Sequence, residues 1–228
     1  MSGEEERHSK AVDPELISDP DERAAREARN GLRQFDAVLE MVDYFLQSDH
    51  PFKLRISHIL HLHRIALEGI SAFAGNFRPA AIEIKGSTHH PVDAWQIPEK
   101  LEELCDYINE HWTTASPIHL AAYAMWRLNW IHPFTDGNGR TARALSYFVL
   151  CVRLGYRLPG TKTIPEQISR DKGPYYQAPE AADQYYRQGT VNLSELEGYL
   201  AKLLARQLVV VHREATQTNP AREQRTFH

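Results

Sequence analysis

Two apolar segments with helical spacing, separated by a short polar loop, constrain the fold of this 228-residue chain more than any other feature. In the first, apolar side chains recur at intervals of three or four residues: Leu120, Ala124, Leu128 and Ile131. In the second, the same spacing is carried by Leu145, Phe148, Val149 and Val152. Pro133 interrupts the first segment and Gly155 ends the second. We therefore predict two buried helices that clamp the loop between them.

The connecting loop and the start of the second helix, residues 132–143, carry groups suited to bind phosphate. They read His-Pro-Phe-Thr-Asp-Gly-Asn-Gly-Arg-Thr-Ala-Arg. Gly137 and Gly139 have no Cβ, so backbone N–H groups can approach phosphate oxygens closely there. The loop opens a helix, whose N-terminus favours an anion through its dipole and its unpaired N–H groups. Asn138 adds a neutral side-chain donor.

Four charged or titratable side chains of the same stretch indicate a reaction rather than binding alone. Arg140 and Arg143 are three residues apart, so they share one helical face and can each bind two phosphate oxygens. Asp136 is a hard oxygen ligand of the kind that Mg²⁺ prefers. His132 has an ordinary pKa of about 6.5, which suits a general base at neutral pH. Together they indicate transfer of a phosphorus-containing group onto a hydroxyl.

The pattern His132-Pro-Phe-x-Asp-Gly-Asn-Gly-Arg-x-x-Arg143 resembles the signature of the Fic (Fido) family and matches it at every defined position. Upstream, Gly75-Asn76-Phe77-Arg78 resembles the family's G-x-[FY]-R motif, and residues 82–87 resemble the β-hairpin flap over its active site. Downstream, Tyr175-Tyr176 and the helix from Leu193 resemble its closing elements. The match is far more specific than a lone glycine-rich loop.

The resemblance implies an all-α fold, a Fic-type bundle of about seven or eight helices with a small β-hairpin flap. We expect a mobile N-terminal tail at 1–18, an N-terminal helix within 19–53 and the Fic domain at 54–205. Residues 206–228 are expected to be the end of the last helix and a polar C-terminal tail.

The resemblance also implies an activity, protein AMPylation by a nucleotidyltransferase. His132 would be the general base, Asp136 the Mg²⁺ ligand and ATP the substrate. The nucleotide would be bound by the loop residues Gly137, Asn138, Gly139, Arg140 and Arg143. The acceptor would be a Ser, Thr or Tyr hydroxyl on a target protein. Phe134 is expected to be an apolar anchor for the loop.

Two outlying groups would complete the site. The flap residues are expected to hold a target segment by strand addition: Glu83, Ile84, Lys85 and Gly86. The adenine is expected to lie near Tyr175, Tyr176 and Asp183, although tyrosine pairs in such segments also serve in packing and the family more often has Asn at 183. His89 and His90 are interpreted as polar loop residues at the flap tip. A further helix is predicted from Leu54 to about Ala72, and His63 within it is interpreted as structural.

Alternatives remain within the family: transfer of another nucleotide or phosphate group, or removal of AMP. A kinase-like relative departs within the glycine-rich loop, and a non-catalytic adaptor would have a degraded motif, whereas this motif is intact. P-loop and dinucleotide-binding motifs need a preceding strand and other glycine spacings, which are absent.

The composition narrows the partners and the compartment. The net charge of −4 offers no electrostatic case for nucleic acid or an anionic membrane. No apolar run reaches the ~18 residues that a membrane-spanning helix needs, and the polar, acidic N-terminus is unlike a secretory signal. Cys105 and Cys151 form neither a disulfide framework nor a zinc motif. We predict a cytoplasmic protein.

A regulatory expectation follows from the resemblance. Many Fic proteins carry [S/T]-x-x-x-E-[G/N], whose glutamate pairs with the second motif arginine, here Arg143. Aligned on Asn30, Ala25 replaces the Ser/Thr and Arg29 replaces the glutamate. We predict that this clamp is absent, so that the protein is active as purified or is restrained by an inhibitory partner or a homo-oligomer. Two rival glutamates remain, Glu27 and Glu197.

Overall fold

The computed structural model describes residues 9–10, 16–84, 87, 89–171 and 173–217, and within them the fold is all-α. Eight α-helices form a bundle: α1 (Pro20–Phe45), α2 (Ile56–Leu67), α3 (Ile97–Glu110), α4 (Pro117–Ile131), α5 (Asn138–Leu154), α6 (Ile164–Arg170), α7 (Gly173–Arg187) and α8 (Ser194–Gln217). This confirms the predicted fold class. None of the described helices is long and apolar enough to cross a membrane.

The two helices around the motif, α4 and α5, form the centre of the bundle. Ten of the 15 residues of α4 and 12 of the 17 of α5 are buried. They pack on each other and are surrounded by α1, α2, α3 and α8. Each fully buried Leu, Ile or Phe contributes about 1.5–3 kcal/mol through the hydrophobic effect. The motif loop therefore sits between the two most strongly anchored helices, as the apolar spacing predicts.

Helix α1 begins at a clear cap and lies across α2 and α5. The carboxylate of Asp19 accepts the N–H groups of Asp21 and Glu22, and Pro20 occupies the first helical position. Its buried face includes two polar side chains that hydrogen-bond to α2 and the residue after it. Asn30 Nδ2 donates to the Ala66 and Glu68 carbonyls at 3.3 and 2.9 Å, and Gln34 Nε2 donates to the Leu62 carbonyl at 3.0 Å.

These two polar anchors change which apolar residues of α1 are covered. An apolar stripe that includes Leu32 is expected from helical spacing, but Leu32 is 71% exposed. Because Asn30 and Gln34 bind α2, the face that they share is turned inward. Leu32 lies on the opposite side.

The expected local β-hairpin is not what the described residues show. Strand β2 (Glu83–Ile84) pairs antiparallel with β1 (Ser9–Lys10), with Ser9 opposite Ile84. The partner strand comes from a region predicted to be a mobile tail, and Ile17 from the same region packs against the end of α2. Parts of the predicted tail therefore contact the rest of the fold, while the boundary at residue 18 stays a prediction. Apolar alternation in one strand cannot identify a partner that lies far away in the sequence.

Other element boundaries differ from expectation by several residues. Helix α2 ends at Leu67 rather than near residue 72, and α8 continues to Gln217, well into the 206–228 region predicted to be the end of the last helix and a polar tail. The proline-rich region after Gly155 is one in which short helices and loops are favoured. It contains α6 and the 15-residue α7, which includes Pro179.

Candidate active site

The motif loop enters and leaves through two left-handed residues. His132 caps α4 with φ 52° and is the one non-glycine residue with positive φ among those described. Gly137 caps α5 with φ 76°, and a Cβ added there would collide with Leu67. A strained non-glycine residue of this kind is common at functional sites, where the surrounding contacts hold it in place. Both turns point the loop toward a single cavity.

Side chains outside and inside the loop fix its shape. The Asn138 amide makes two hydrogen bonds with the backbone of Phe134, donating to its carbonyl at 2.8 Å and accepting its N–H at 3.0 Å. Phe134 is fully buried and stacks on His63 with ring centroids 3.6 Å apart. Because His63 Nδ1 accepts the Gly75 N–H, its Nε2–H donates to the Asp136 carbonyl at 3.0 Å.

These contacts support the anchoring role of Phe134 and the structural role of His63, and they change the role of Asn138. Its side-chain amide is engaged with the loop itself, so it braces the loop instead of offering the phosphate donor that we expected. It still lines the cavity, as the first residue of α5.

Arg78 of the upstream motif connects the loop to the base of the flap. It is 2% exposed. Its Nε donates to the His132 carbonyl at 2.8 Å, and its two terminal nitrogens donate to the carbonyls of Ala80 and Val92. Arg78 therefore holds the backbone of His132 and both ends of the flap in one arrangement.

The imidazole of His132 is arranged as a neutral base. Its Nδ1 lies 3.4 Å from the Asn129 carbonyl, to which it donates. Its Nε2 is buried and has no hydrogen-bond partner among the described residues. Burial lowers the pKa of His132 from about 6.5 to about 3. At neutral pH the ring is therefore uncharged, and Nε2 carries a lone pair that is available to take a proton.

One cavity of about 420 Å³ brings most of the expected site residues together. Its walls include His132, Asp136, Gly137, Asn138, Gly139, Arg140, Arg143, Tyr175, Asp183 and Ile84. A volume of this size suits a nucleotide-sized ligand. Glu83 is exposed and does not line the cavity. Lys85, Gly86 and the side chain of Tyr176 lie outside the described residues.

One end of the cavity is rich in charge. Arg140 and Arg143 lie on the first turns of α5, and the Arg143 guanidinium stands over the Tyr175 ring at 5.4 Å. Asp136 Oδ1 accepts the Gly137 N–H at 2.6 Å. Its Oδ2 accepts hydrogen bonds from Arg140 at 3.4 Å and from Arg23 of α1 at 3.2 Å. This end can bind an anionic group and a cation together.

The other end is aromatic and is closed by the flap. Trp126 Nε1 donates to Asp183 Oδ1 at 2.7 Å, and His89 Nδ1 lies 3.7 Å from Asp183 Oδ2. His89 Nε2 donates to the Trp130 carbonyl at 2.7 Å. Burial raises the pKa of Asp183. Both carboxylate oxygens of Asp183 thus face protein groups, which makes it an anchor for the flap more than a direct adenine ligand.

Sequence reasoning missed several wall residues, for an identifiable reason. Arg23 reaches the cavity from α1 beside Glu27, which the sequence suggested only for regulation, and His89 and Trp130 close the far end. None of them belongs to the motif, and no local pattern connects α1 or the flap tip with a loop some 40 to 110 residues later. Asp19-Pro20 predicts where α1 begins but not what its first turns face.

The residues considered for regulation also have definite places. Arg29 is exposed and does not line the cavity. Glu27 lines it and lies 3.7 Å from Arg140, not at Arg143. Glu197 pairs with His119 at 2.7 Å and is not a wall residue.

The bundle and its cavity define a class of protein: a helical domain that holds an anion-binding helix N-terminus and a buried neutral histidine on one loop. Residues 53–150 match the Fic/DOC family.

Similar proteins agree with this assignment. The chain is 36% identical over 123 residues to a protein named protein adenylyltransferase fic-1 from Caenorhabditis elegans, a match that covers 53% of this chain and 24% of that protein. The chain thus spans about a quarter of the length of such curated relatives. A solved structure of Fic-1 residues 134–508 from C. elegans has a TM-score of 0.64 and 27% identity, covering 84% of this chain and 53% of that one.

A third comparison shows the fold alone. The Bartonella tribocorum BepC protein, solved with bound AMPPNP, has a TM-score of 0.54 and 20% identity, covering 80% of this chain and 86% of that one.

Proposed function

We propose that this protein is a protein adenylyltransferase, which moves AMP from ATP to a Ser, Thr or Tyr hydroxyl of a target protein. The observation that carries the proposal is the unpartnered, neutral Nε2 of His132 on the wall of the cavity that also contains the phosphate-binding start of α5. The activity for which the C. elegans relative is named and the nucleotide analogue in BepC support the same choice.

The two ends of the cavity suggest how ATP lies. The phosphates fit the charged end, where Arg140, Arg143 and the first N–H groups of α5 are donors. The base fits the aromatic end between the flap and α7, beside Trp130 and Pro179. The α-phosphate would then lie between the ends, near His132.

The donor chemistry of Asp136 fits Mg²⁺. Its carboxylate is the hard oxygen ligand that this ion binds together with nucleotide phosphates, and Oδ2 already faces two positively charged groups. When bound, Mg²⁺ would neutralise charge on the phosphates.

The reaction that we propose uses the chain's own residues as follows. His132 Nε2 takes the proton from the target hydroxyl, and that oxygen forms a bond to the α-phosphorus. The bond from the α-phosphorus to the oxygen that bridges it to the β-phosphate breaks, and pyrophosphate leaves. Arg140 and Arg143 stabilise the charge on the leaving group. Most of the rate enhancement comes from positioning and electrostatics.

We propose that the target segment binds by strand addition to the flap. Strand β2 accepts an antiparallel partner, since Ser9–Lys10 pairs with it, and Ile84 of that strand lines the cavity. The compartment that we propose is the cytoplasm, and the free buried thiols of Cys105 and Cys151 are consistent with it. We also propose that any restraint of the activity comes from an inhibitory partner or from a homo-oligomer.

The test is to incubate the purified protein with each α-labelled nucleotide, with and without cell lysate, and to locate the label by mass spectrometry. We expect AMP on a hydroxyl side chain, and a His132→Ala variant slower by about 10²–10⁴ with nucleotide binding retained. Label from γ-labelled ATP would instead indicate phosphate transfer. Loss of AMP from a labelled target, with no transfer, would favour the reverse reaction.

A further inference from the structure

Four side chains at the charged end of the cavity form a closed ring of alternating charge, which we call the charge ring. Arg23 Nη2 lies 3.2 Å from Asp136 Oδ2, and Asp136 Oδ2 lies 3.4 Å from Arg140 Nη2. Arg140 Nη1 lies 3.7 Å from Glu27 Oε2, and Glu27 Oε1 lies 3.1 Å from Arg23 Nε. The ring contains two positive and two negative groups. Every member lines the cavity.

Half of the ring comes from α1, and that half is held firmly. Arg23 and Glu27 are four residues apart, so they lie one turn apart on the same face. The helix that carries them is anchored to α2 by the buried side chains of Asn30 and Gln34. The contact between Arg23 and Asp136 is therefore a feature of how α1 packs.

The ring occupies both groups that the proposed substrate complex needs. A cation must share Asp136, whose Oδ2 is held by Arg23, and a phosphate must share Arg140, whose second terminal nitrogen faces Glu27. Binding of both would break two contacts of the ring. The Arg23–Glu27 pair would remain on α1, and its charges cancel.

We propose that Arg23 is an internal cation that competes with Mg²⁺ for Asp136, so that α1 sets the Mg²⁺ concentration at which nucleotide binds. The proposal rests on the proposed function, because it assumes that Mg²⁺ and nucleotide bind at this end of the cavity. In the free protein the Arg23 guanidinium holds the Asp136 carboxylate. A bound divalent ion would displace the guanidinium. Arg23 is thus a positioning residue and does not touch the phosphates.

The alternative is that Arg23 is a third phosphate ligand beside Arg140 and Arg143. Its geometry argues against this, because Nε and Nη2 are both directed at carboxylates and Glu27 neutralises its charge. Arg140 also faces two carboxylates, but its contact with Glu27 is the longer one, 3.7 Å against 3.1 Å for Arg23, so Arg140 is the more readily released to a phosphate.

The experiment is calorimetric titration of a non-hydrolysable ATP analogue into the full chain at a series of Mg²⁺ concentrations. It compares wild type with Arg23→Gln and with Arg29→Gln, a matched control. Arg29 lies on the same helix and has the same charge, but it is exposed and outside the cavity. We expect Arg23→Gln to lower the half-saturating Mg²⁺ concentration roughly two- to fivefold, the range for a partly exposed ion pair. Arg29→Gln should match wild type.

A further variant keeps the test informative if Arg23→Gln folds poorly. Arg23→Lys retains the charge but lacks the fork that binds Asp136 and Glu27 at once, so it should give a smaller shift in the same direction. An unchanged Mg²⁺ midpoint in both variants would overturn the proposal. So would weaker analogue binding at saturating Mg²⁺, which would make Arg23 a phosphate ligand. If wild type bound the analogue without any dependence on Mg²⁺, the metal part of the proposed function would fail as well.

Discussion

At the scale of single residues, the site depends on an uncharged His132 imidazole whose Nε2 has no hydrogen-bond partner among the described residues. Its left-handed backbone places the ring beside the cavity, and Arg78 holds its carbonyl. Burial disfavours the imidazolium, so the ring stays a base under conditions where an exposed histidine is half protonated. Arg78, which lies far upstream in the sequence, thus helps to hold His132 in place.

A pH profile tests this state. Because burial lowers the pKa of His132 to about 3, the proton-accepting form persists below pH 6.5, where an ordinary histidine becomes charged. We expect kcat/KM to keep its neutral-pH value at pH 6.5 and to fall only at more acidic pH. The measurement is self-modification or target labelling across pH 4–8, with nucleotide binding followed in parallel as the control. A midpoint at or above pH 6.5 that is absent from the binding data would contradict a buried neutral base.

A second prediction concerns Arg143. It lies on the first turns of α5 over Tyr175, and we expect it to bind the terminal phosphates. Arg143→Ala should weaken ATP binding roughly ten- to a hundredfold, the cost of a lost charge-assisted hydrogen bond. AMP binding should be nearly unaffected. Binding of both nucleotides by calorimetry decides the matter, with AMP as the internal control. Equal losses for the two would place Arg143 away from the β- and γ-phosphates.

At the scale of elements, what could be predicted depended on sequence distance. The loop at 132–143 and its two helices follow from local spacing, since the residues that form the phosphate site are neighbours on one helix start. His89 could not be identified, because its partners, Trp130 and Asp183, lie on α4 and α7. The strand that pairs with β2 and the exposure of the Leu32 side chain were missed for the same reason, because packing against distant segments decides both.

The His89 contacts predict a role for this side chain in holding the flap. It joins the flap to the end of α4, two residues before His132, and to α7. His89→Ala should raise KM for ATP roughly two- to tenfold, the equivalent of one lost hydrogen bond, with a much smaller change in kcat. Exposed His90 is outside the cavity, so His90→Ala is the matched control. Equal effects of the two substitutions would show that His89 has no special place in the site.

At the scale of the whole molecule, the helices bring five separate stretches of chain to one cavity: α1, the flap, α4 with the motif loop and α5, α6, and α7. Regulation is a property of this arrangement, since any element that reaches the cavity can restrain it. Among the described residues, Arg143 makes a cation–π contact with Tyr175 and has no carboxylate partner. Glu27, the nearest rival for a clamp, faces Arg140 and is itself paired with Arg23.

We therefore expect the purified chain to label itself with AMP at saturating Mg²⁺, without removal of any segment or partner. Glu27→Gly should change the rate only a few-fold, because it opens the charge ring without freeing Arg143. Glu197→Gly should leave the rate unchanged, since Glu197 pairs with His119 away from the cavity. Arg29→Glu should also have no effect, because an exposed side chain cannot reach Arg143 as the alignment on Asn30 suggested. Self-modification of the four proteins, followed by mass spectrometry, makes the comparison. A silent wild type that Glu27→Gly or Glu197→Gly activates a hundredfold would show that a glutamate clamp exists after all.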